Sequence, residues 1–511
     1  MQITSTEIVV LGAGFAGSLV ALGCRRLGRD VLLLDKARHP RFAIGESSTP
    51  VANRVLRDLA IRYELPRLLP LVKYGPWQRA YPHLGSGLKR GFSYFEHRVG
   101  APFQPDAAHR NELLVAASGD DESSDTHWVR ADVDQFLADE ARAAGVALWE
   151  DARLTRLEPH AAGGWTLAGQ RRDAAPADRK DGDRPFEIRA RFLIDGTGEA
   201  SAIARSLGIP AHTDTLHTRS RSLFTHFRNV GSWRRWLETH GGDVVSHPFP
   251  CDDAAQHMLL DGAWMWVLRF NQGVTSVGLA IDEARHPLNP AHSPEQEWAG
   301  WMRAYPSVGE LLSHVEIVDP PGRLIRTGRI QRKSGQAAGR DWAALPHTAG
   351  FIDPLHSTGI AHSLCGVERL LDILAGSWDR PELAARLCAY QDALFRELDL
   401  IDLMVDGCYR TLGRFRLFAA WSMLYFAAAT TYERLRARDG YDPRLWFLNA
   451  GDDAFRELVE RLYRELKQVA RTDEAERAFE RRLADRITPY NRVGLMDPVA
   501  QNLYRHTVSP E

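Results

Sequence analysis

The chain has 511 residues, of which 44% are hydrophobic and 25% are charged, and its formal net charge is −2. A chain of this length is expected to form two or three lobes with ordinary hydrophobic cores. The balanced charge offers no basic face to nucleic acid or to anionic membranes, which argues against both classes of partner.

The cysteines and the apolar runs indicate where in the cell the protein is located. The five cysteines are scattered and lack CxxC spacing, which predicts reduced thiols in a cytoplasmic protein. The first residues show no basic segment and cleavage site of a signal peptide, and the most apolar run, residues 417–431, is too short to span a bilayer. The nineteen histidines show no HExxH or similar spacing, so the sequence predicts no metal site.

The elements in chain order indicate an α/β fold. The chain opens with a buried strand at 8–11, a glycine turn, a helix at 15–27 and a second strand at 31–34. The polar run "DDESSD" at 120–125 is typical of an exposed loop or a hairpin tip, and another buried strand with a glycine turn is expected at 191–201. Short alternating runs from about 215 to 325 predict an antiparallel sheet, and the pattern is helical from about 381 onward.

We therefore expect a Rossmann-like α/β lobe, an inserted antiparallel-sheet lobe that binds substrate, and a C-terminal helical region. The expected boundaries are 1–380 for the dinucleotide-binding domain, with sheet insertions at about 75–125 and 215–325, and 381–511 for the helices.

The glycine turn carries a nucleotide-binding pattern. Gly12, Gly14 and Gly17 form G-x-G-x-x-G between a strand and a helix. The first glycine permits a tight turn, the second lets the backbone approach a pyrophosphate, and the third lets helix and strand pack closely. Asp35 follows about 20 residues later at the end of the second strand, where a carboxylate accepts hydrogen bonds from a ribose. This context predicts a bound dinucleotide.

Two further motifs narrow the class. They are "RFAIGESSTP" at 41–50, with Gly45, Glu46, Ser47 and Pro50, and "FIDPLHSTGI" at 351–360, with Asp353, Pro354, Ser357, Thr358, Gly359 and Ile360. With these motifs the chain resembles the flavin-dependent halogenases, the two-component relatives of the aromatic hydroxylases, over roughly residues 5–375. The resemblance implies a lobe of the aromatic-hydroxylase and glutathione-reductase type that binds FAD, used as FADH2. It also implies O2, chloride or bromide, and a separate NAD(P)H flavin reductase as partner.

The resemblance also implies a set of binding residues. The expected FAD contacts are Gly12, Ala13, Gly14, Ala16, Gly17, Asp35, Arg41, Glu46, Ser47, Arg130, Asp353, Gly359 and Ile360. Backbone N–H groups at Thr358 and Gly359 are expected to bind the halide. The alternative is a flavin-contacting turn that binds no halide.

The halogenation chemistry implied by the resemblance needs a lysine. Hypohalous acid made near the flavin passes to a second cavity, where a lysine places it against an aromatic ring. Burial lowers the pKa of a lysine, whereas arginine stays protonated. Lys89, in "GLKRGFSYF" at 87–95, is the candidate, and Lys73 in "VKYGPW" is the alternative. If Lys89 has no catalytic function, its side chain is expected to lie along the surface with the amine in solvent.

Aromatic residues near these motifs are expected to line the substrate pocket: Phe92, Tyr94, Phe95, Trp264 and Trp266. Two departures from the family bear on the substrate. His356 replaces the glutamate that tryptophan halogenases carry before S-T-G-I, and a neutral histidine can act as a catalytic base. This change favours a phenolic substrate over free tryptophan.

The second departure concerns the family pattern W-x-W-x-I-P. Both tryptophans are present, but Leu268 and Arg269 replace Ile-Pro, which makes the exclusion of direct hydroxylation less certain. Two tryptophans at this spacing also fit one face of an ordinary strand.

The predicted function is FAD-dependent chlorination or bromination of an electron-rich, phenolic aromatic substrate that is free or tethered to a carrier, with Lys89 and His356 as the catalytic residues. One alternative is a flavin-dependent aromatic hydroxylase with no halide requirement. Another is a flavin-binding protein without turnover.

Overall fold

The structure, a computed structural model, describes residues 2–172 and 183–505. In chain order its strands are β1 (Gln2–Leu11), β2 (Val31–Leu34), β3 (Ser86–Lys89), β4 (Gly91–Glu96), β5 (Glu112–Ala116), β6 (Asp125–Trp128), β7 (Ala147–Trp149), β8 (Ala152–Pro159), β9 (Trp165–Arg172), β10 (Asp183–Asp195), β11 (Ser220–Arg228), β12 (Ala255–Leu260), β13 (Ala263–Arg269), β14 (Thr275–Asp282), β15 (Glu316–Ile317), β16 (Ile325–Arg329), β17 (Arg332–Lys333), β18 (Ala338–Gly339), β19 (Trp342–Ala344), β20 (Gly350–Phe351) and β21 (Leu503–Tyr504).

The helices are α1 (Phe15–Arg26), α2 (Pro50–Arg62), α3 (Tyr74–Ala80), α4 (Arg130–Ala143), α5 (Ala202–Ser206), α6 (Trp233–Thr239), α7 (Pro294–Ala304), α8 (Pro306–Leu311), α9 (Pro346–Ala349), α10 (Thr358–Ser377), α11 (Leu383–Thr411), α12 (Phe415–Asp439), α13 (Asp453–Leu466) and α14 (Asp473–Ile487).

A largely parallel sheet forms the first lobe. Its order is β18-β19-β10-β1-β2-β7, and β8 and β9 extend it through β10. The strands from β19 to β7 run parallel. Ile8, Val9 and Val10 are inaccessible to solvent, as the continuous apolar run predicts for a strand covered on both faces. The Rossmann-like lobe is confirmed.

A second sheet faces this lobe in the order β15-β11-β14-β13-β12-β4-β5-β21, with β16 beside β11. It is predominantly antiparallel, but β4 pairs with β12 in parallel, and so does β21 with β5. The sheet therefore combines strands from residues 91–116 with strands from residues 220–329 and with two residues near the C-terminus.

The C-terminal helical region is confirmed in α11 to α14. The apolar run 417–431 lies within α12, whose side chains there are buried against neighbouring helices, including α2. Within residues 2–172 and 183–505, no helix is long and apolar enough to cross a bilayer.

Candidate active site

The glycine turn after β1 accepts no side chain at two positions. Gly12 has φ +93°, and a Cβ there would lie 2.5 Å from the Gly196 carbonyl oxygen. A Cβ on Gly17 would lie 1.9 Å from the Gly12 carbonyl oxygen. The close packing of α1 on β1 therefore depends on glycine at both positions. The backbone N–H of Ala13 donates to Asp35 Oδ2 at 2.8 Å, which ties the turn to the end of β2.

Asp134 on α4 was missed by sequence reasoning. Its side chain is inaccessible to solvent, and its Oδ1 accepts from the backbone N–H of Phe15 at 3.2 Å at the start of α1. Arg130 donates to both carboxylate oxygens of Asp134 from Nε and Nη2, at 2.9 and 3.0 Å. Arg130 Nη1 donates to the carbonyls of Ile44 and Gly45. The guanidinium therefore fixes the segment 41–50 against the glycine turn.

A cavity of about 1010 Å³ lies between the first lobe and the second sheet. It is at the large end of the range for ligand sites in proteins. The predicted cofactor and pocket residues that line it are Gly14, Ala16, Gly17, Arg41, Glu46, Ser47, Arg130, Trp264, Trp266, Gly359 and Ile360. Gly12, Ala13 and Asp35 support the turn from behind this wall.

The cavity wall presents polar atoms that need a ligand. Glu46 is only 3% exposed; its Oε1 lies 2.7 Å from His226 Nε2, and its Oε2 has no hydrogen-bond partner in the described part of the chain. Ser47 Oγ and Arg41 Nε are buried and equally unpartnered among those residues. Buried polar atoms are normally hydrogen-bonded. Together with the glycine turn, this donor and acceptor set fits FAD.

The turn before α10 forms the other side of the cavity. His356 and Ser357 have φ +62° and +56°, and α10 begins at Thr358 directly after them. The N–H groups of a first helical turn have no partner within the helix and carry its positive dipole end. Ser357 and Gly359 line the cavity, whereas Thr358 lies just behind its wall. This backbone can bind an anion beside the cofactor.

Asp353 lies in a buried network behind that turn and does not line the cavity. Its carboxylate accepts from Ser220 Oγ at 2.7 Å, from Tyr409 OH at 2.9 Å and from the Leu355 N–H at 3.1 Å. Burial raises the pKa of Asp353 to about 6, against these hydrogen bonds. The structure thus gives Asp353 contacts that hold the turn in place.

Lys89 is a buried amine at the end of β3. Its side chain is inaccessible to solvent, Nζ donates to the Ser48 carbonyl at 2.5 Å, and Nζ lies 4.1 Å from the centroid of the Phe92 ring. Burial lowers the pKa of Lys89 to about 7, and the charge of Asp125 opposes that shift. A lysine with a solvated amine is therefore excluded for this position. Lys73 is only half-buried and precedes α3.

Asp125 is buried, contrary to the expectation of an exposed position. The run 120–125 is not all exposed loop, because Asp125 begins β6 opposite Lys89 and is inaccessible to solvent. Asp125 Oδ1 accepts from Asn53 Nδ2 at 2.6 Å, and Oδ2 has no partner among the described residues. Burial raises the pKa of Asp125 to about 6. Burial and the nearby charge of Asp125 also raise the pKa of Glu433, on α12, to about 8.

His356 is a buried, neutral imidazole. Burial lowers its pKa to about 3. Its Nδ1 lies 3.1 Å from Tyr94 OH, its Nε2 lies 3.4 Å from Cys408 Sγ, and its ring stacks on Tyr425 at 4.6 Å between centroids. Tyr94 in turn stacks on His257, with 4.4 Å between the ring centroids, and His257 lines the cavity. A chain of aromatic contacts thus joins His356 to the cavity wall.

The predicted pocket residues of β4 lie on two faces. Phe92 and Tyr94 are stacked at 6.4 Å on the face that carries Lys89. Phe95 points to the opposite face and packs against Phe103 and Trp233 in a separate core. The structure therefore does not bring Phe95 together with the other predicted pocket residues.

The segment that departs from W-x-W-x-I-P is β13. Trp264, Trp266 and Leu268 alternate onto the cavity wall. Arg269 points away and donates to the carbonyls of Val230 and Gly231. The arginine therefore replaces proline on the side of the strand that does not face the cavity.

The parallel-sheet lobe, the glycine turn and the cavity define an α/β flavoprotein with a second sheet over its cofactor site. Residues 10–77 match the family described as NAD(P)-binding Rossmann-like domain. The tetracycline 7-halogenase of Kitasatospora aureofaciens is 28% identical over 432 residues, which cover 83% of this chain and 73% of that protein. The monodechloroaminopyrrolnitrin halogenase PrnC of Pseudomonas fluorescens is 26% identical over 82% of this chain and 70% of that protein. The similarity to these two enzymes supports the resemblance to the flavin-dependent halogenases and indicates that the protein is an enzyme.

Its fold matches that of a solved halogenase. The crystal structure of halogenase PltM in complex with phloroglucinol and FAD superposes with a TM-score of 0.81 over 98% of this chain and 99% of that chain, at 23% identity.

Proposed function

We propose that this enzyme uses FADH2, O2 and chloride or bromide to halogenate a small, electron-rich phenolic substrate. The observation that carries the proposal is the fully buried amine of Lys89, which lies against Phe92 and outside the wall of the FAD cavity. An amine so removed from solvent has no surface role, and desolvation makes its neutral form accessible near neutral pH.

The glycine turn, Arg41, Glu46 and Ser47 would hold FAD, because these groups line the cavity and leave polar atoms unpartnered among the described residues. When bound, reduced FAD with O2 and halide supplies hypohalous acid. The N–H groups at Thr358 and Gly359 would hold the halide, since they begin α10 beside the cavity. A turn that contacts the flavin without binding halide is the alternative for these two residues.

Lys89 then holds the oxidant next to the substrate. Its Nζ uses one donor on the Ser48 carbonyl, and its remaining N–H groups or lone pair can bind hypohalous acid. Alternatively, the neutral amine takes up the halogen and releases water, so that one N–H bond is replaced by an N–halogen bond. Phe92 and His257, whose rings stack at 6.2 Å, link the surroundings of Nζ to the cavity wall.

The polar groups near Lys89 suit the chemistry of a phenolic substrate. Asp125 has an unpartnered oxygen among the described residues, and it accepts the proton of a phenol or of the substituted ring carbon. His356 is neutral, but side chains of the protein contact both of its ring nitrogens. We therefore propose that His356 orients Tyr94 and does not itself transfer a proton. PltM was solved with phloroglucinol, a phenol.

A separate NAD(P)H flavin reductase is proposed as the source of FADH2. The sequence contains G-x-G-x-x-G once, at 12–17, and that motif forms the FAD turn. We also propose a cytoplasmic location, which the five free thiols support.

Product analysis tests the proposed function. The enzyme is loaded with chemically reduced FAD and given O2 and a panel of phenols and indoles, with bromide, chloride or no halide. We expect a phenol to gain the mass and isotope pattern of chlorine or bromine only when halide is present. A hydroxylated product without halide would identify a hydroxylase instead, and FAD binding with no product across the panel would identify a protein without turnover.

A further inference from the structure

Outside the FAD cavity, three potential metal ligands converge beside β5. Glu112 begins β5, His109 precedes it by three residues, and His247 comes from the segment after α6. His109 Nδ1 lies 2.5 Å from Glu112 Oε1, and His247 Nε2 lies 3.4 Å from the same oxygen. One ligand atom from each residue lies within 4.8 Å of the others.

The cluster is buried, and one of its ring nitrogens is unused. His109 is 2% exposed, Glu112 5% and His247 9%. His247 Nδ1 is buried without a hydrogen-bond partner in the described ranges. His109 has φ +52°, a conformation that costs energy in a residue with a side chain, so the backbone is strained where the ring enters the cluster.

We propose that His109 Nδ1, Glu112 and His247 Nε2 bind a divalent cation of the Zn²⁺ class, with water as a fourth ligand. Imidazole nitrogens with one carboxylate oxygen form a typical zinc donor set, whereas Mg²⁺ and Ca²⁺ prefer all-oxygen sites. The cation would replace the proton shared by His109 and Glu112, so binding releases a proton to solvent.

Asp243 supplies an orienting contact for this site. Its Oδ2 lies 3.9 Å from His109 Nε2, the ring nitrogen that does not face Glu112. This distance is too long for a hydrogen bond, but the carboxylate charge favours the tautomer of His109 that carries its proton on Nε2 and leaves Nδ1 for the metal. Asp243 also accepts from the backbone N–H groups of Val245 and Ser246, and so shapes the segment that carries His247.

The site would cross-link two distant parts of the chain at a place where a third part also packs. Asn502 Nδ2 donates to the His109 carbonyl at 2.8 Å, and Arg505 Nη2 donates to the Ser246 carbonyl at 3.2 Å. The segment after α6, the start of β5 and the C-terminal strand β21 thus meet at these ligands. Sequence spacing could not reveal the site because 135 positions separate Glu112 from His247.

Metal titration of the full-length protein tests this inference. Protein stripped with a chelator is titrated with ZnCl2 by calorimetry, and Co²⁺ absorption reports the coordination. We expect one Zn²⁺ per chain, a rise in Tm on binding, and at least a 10-fold loss of affinity in Glu112→Gln and His247→Ala. His292→Ala, at an exposed histidine, is the matched control and should bind as the wild type does.

Asp243→Asn is the second variant, because it keeps all three ligands and should fold even if His247→Ala does not. We expect it to bind Zn²⁺ about 10-fold more weakly. Absence of stoichiometric binding to the wild type overturns the proposal, and so does equal affinity in the wild type and every folded variant. The three groups would then form a hydrogen-bonded cluster only.

Discussion

Lys89 and Asp125 face each other across the β3–β6 ladder, and neither side chain reaches solvent. Burial lowers the pKa of the lysine and raises that of the aspartate, while the charge of each residue opposes the shift of the other. The protonation state of the candidate catalytic amine therefore depends on one neighbouring carboxylate. That carboxylate is held by Asn53, through a hydrogen bond of 2.6 Å.

Replacing Lys89 with methionine should abolish halogenation and preserve FAD binding. The variant keeps an unbranched buried chain but lacks the amine, and Lys89 does not line the cofactor cavity. We expect product formation to fall by at least about 100-fold, the scale of a lost acid–base or nucleophilic group. Lys89→Arg separates the two proposed modes, because a guanidinium stays protonated and cannot form an N–halogen bond: inactivity is expected for the halogenated amine, and activity would leave hydrogen bonding of the acid. Product is measured by mass spectrometry and FAD affinity by fluorescence titration.

Lys73→Met is the control for that experiment and should retain most of the activity, since Lys73 is half-buried ahead of α3. Wild-type rates in Lys89→Met would refute the assignment of Lys89.

Asp125→Asn should lower the rate of halogenation, because it removes the proposed proton acceptor, and should shift the pH dependence of the remaining activity to lower pH. The negative charge of Asp125 raises the pKa of Lys89, so its removal lowers that pKa further and the neutral amine forms at a more acidic pH. The asparagine oxygen can still accept from Asn53, so the fold around residue 125 should be kept. The readout is the pH profile of kcat/KM, and we expect its rising limb near pH 7 in the wild type because burial lowers the pKa of Lys89 to about 7. An unchanged limb would separate Asp125 from the chemistry of Lys89.

Gly17→Ala should destabilise the protein and weaken FAD binding. Its Cβ would lie 1.9 Å from the Gly12 carbonyl oxygen, so the turn that cradles the cofactor must move. We expect a loss of about 1–3 kcal/mol in the free energy of unfolding, the usual cost of overpacking. Gly300→Ala is the matched control because Gly300 is also helical and has no atom within 4 Å of an added Cβ. It should gain about 0.5–1 kcal/mol. Thermal melts with and without FAD measure both effects.

The protein should lose stability as the pH falls below about 6.5. Burial lowers the pKa to about 3 in five histidines: His97, His127, His257, His347 and His356. An unfolded histidine has a pKa of about 6.5, so below that pH the unfolded chain binds protons that the folded chain does not. Each histidine then costs about 1.4 kcal/mol per pH unit until the pH approaches the folded pKa.

Buried carboxyl groups oppose this trend. The pKa is raised to about 8 in Glu433 and to about 6 in Asp125 and Asp353, so the folded state takes up protons there before the unfolded state does. The five histidines outnumber these three carboxyl groups, and we expect a net loss of stability. Denaturant midpoints at pH 7.5 and 5.5 test it, and His97→Gln should reduce the dependence because it removes one of the five. A midpoint independent of pH would show that the buried histidines are hydrated.

Local patterns predicted the parts of the site that are local in sequence. The turn at Gly12 and Gly17 follows from the packing of one strand on the next helix. Asp134 could not be predicted, because it caps α1 from 119 positions away. The two-residue period of a strand already separates Phe95 from Phe92 and Tyr94, and a stricter use of that period would have placed Phe95 in the other core.

Asp125 shows a different limit of sequence reasoning. It ends a polar run that resembles an exposed loop, and only its pairing with Lys89 in the β3–β6 ladder buries it. Long-range pairing also decides the environment of Lys89, since the Ser48 carbonyl that accepts from Nζ lies 41 positions earlier. The fold class could therefore be predicted from the sequence, while the electrostatics of the amine required the structure.

The strand β21 completes the outer edge of the second sheet, where Leu503 and Tyr504 pair with Leu114 and Val115. Protein engineering at this terminus has a structural cost for that reason. Truncation before Leu503 would uncover the hydrogen-bonding edge of β5, whose residues 113–116 are apolar, and an uncovered apolar edge promotes association between molecules. Affinity tags and fusion partners are therefore better attached beyond Arg505, with the pairing of β21 left intact.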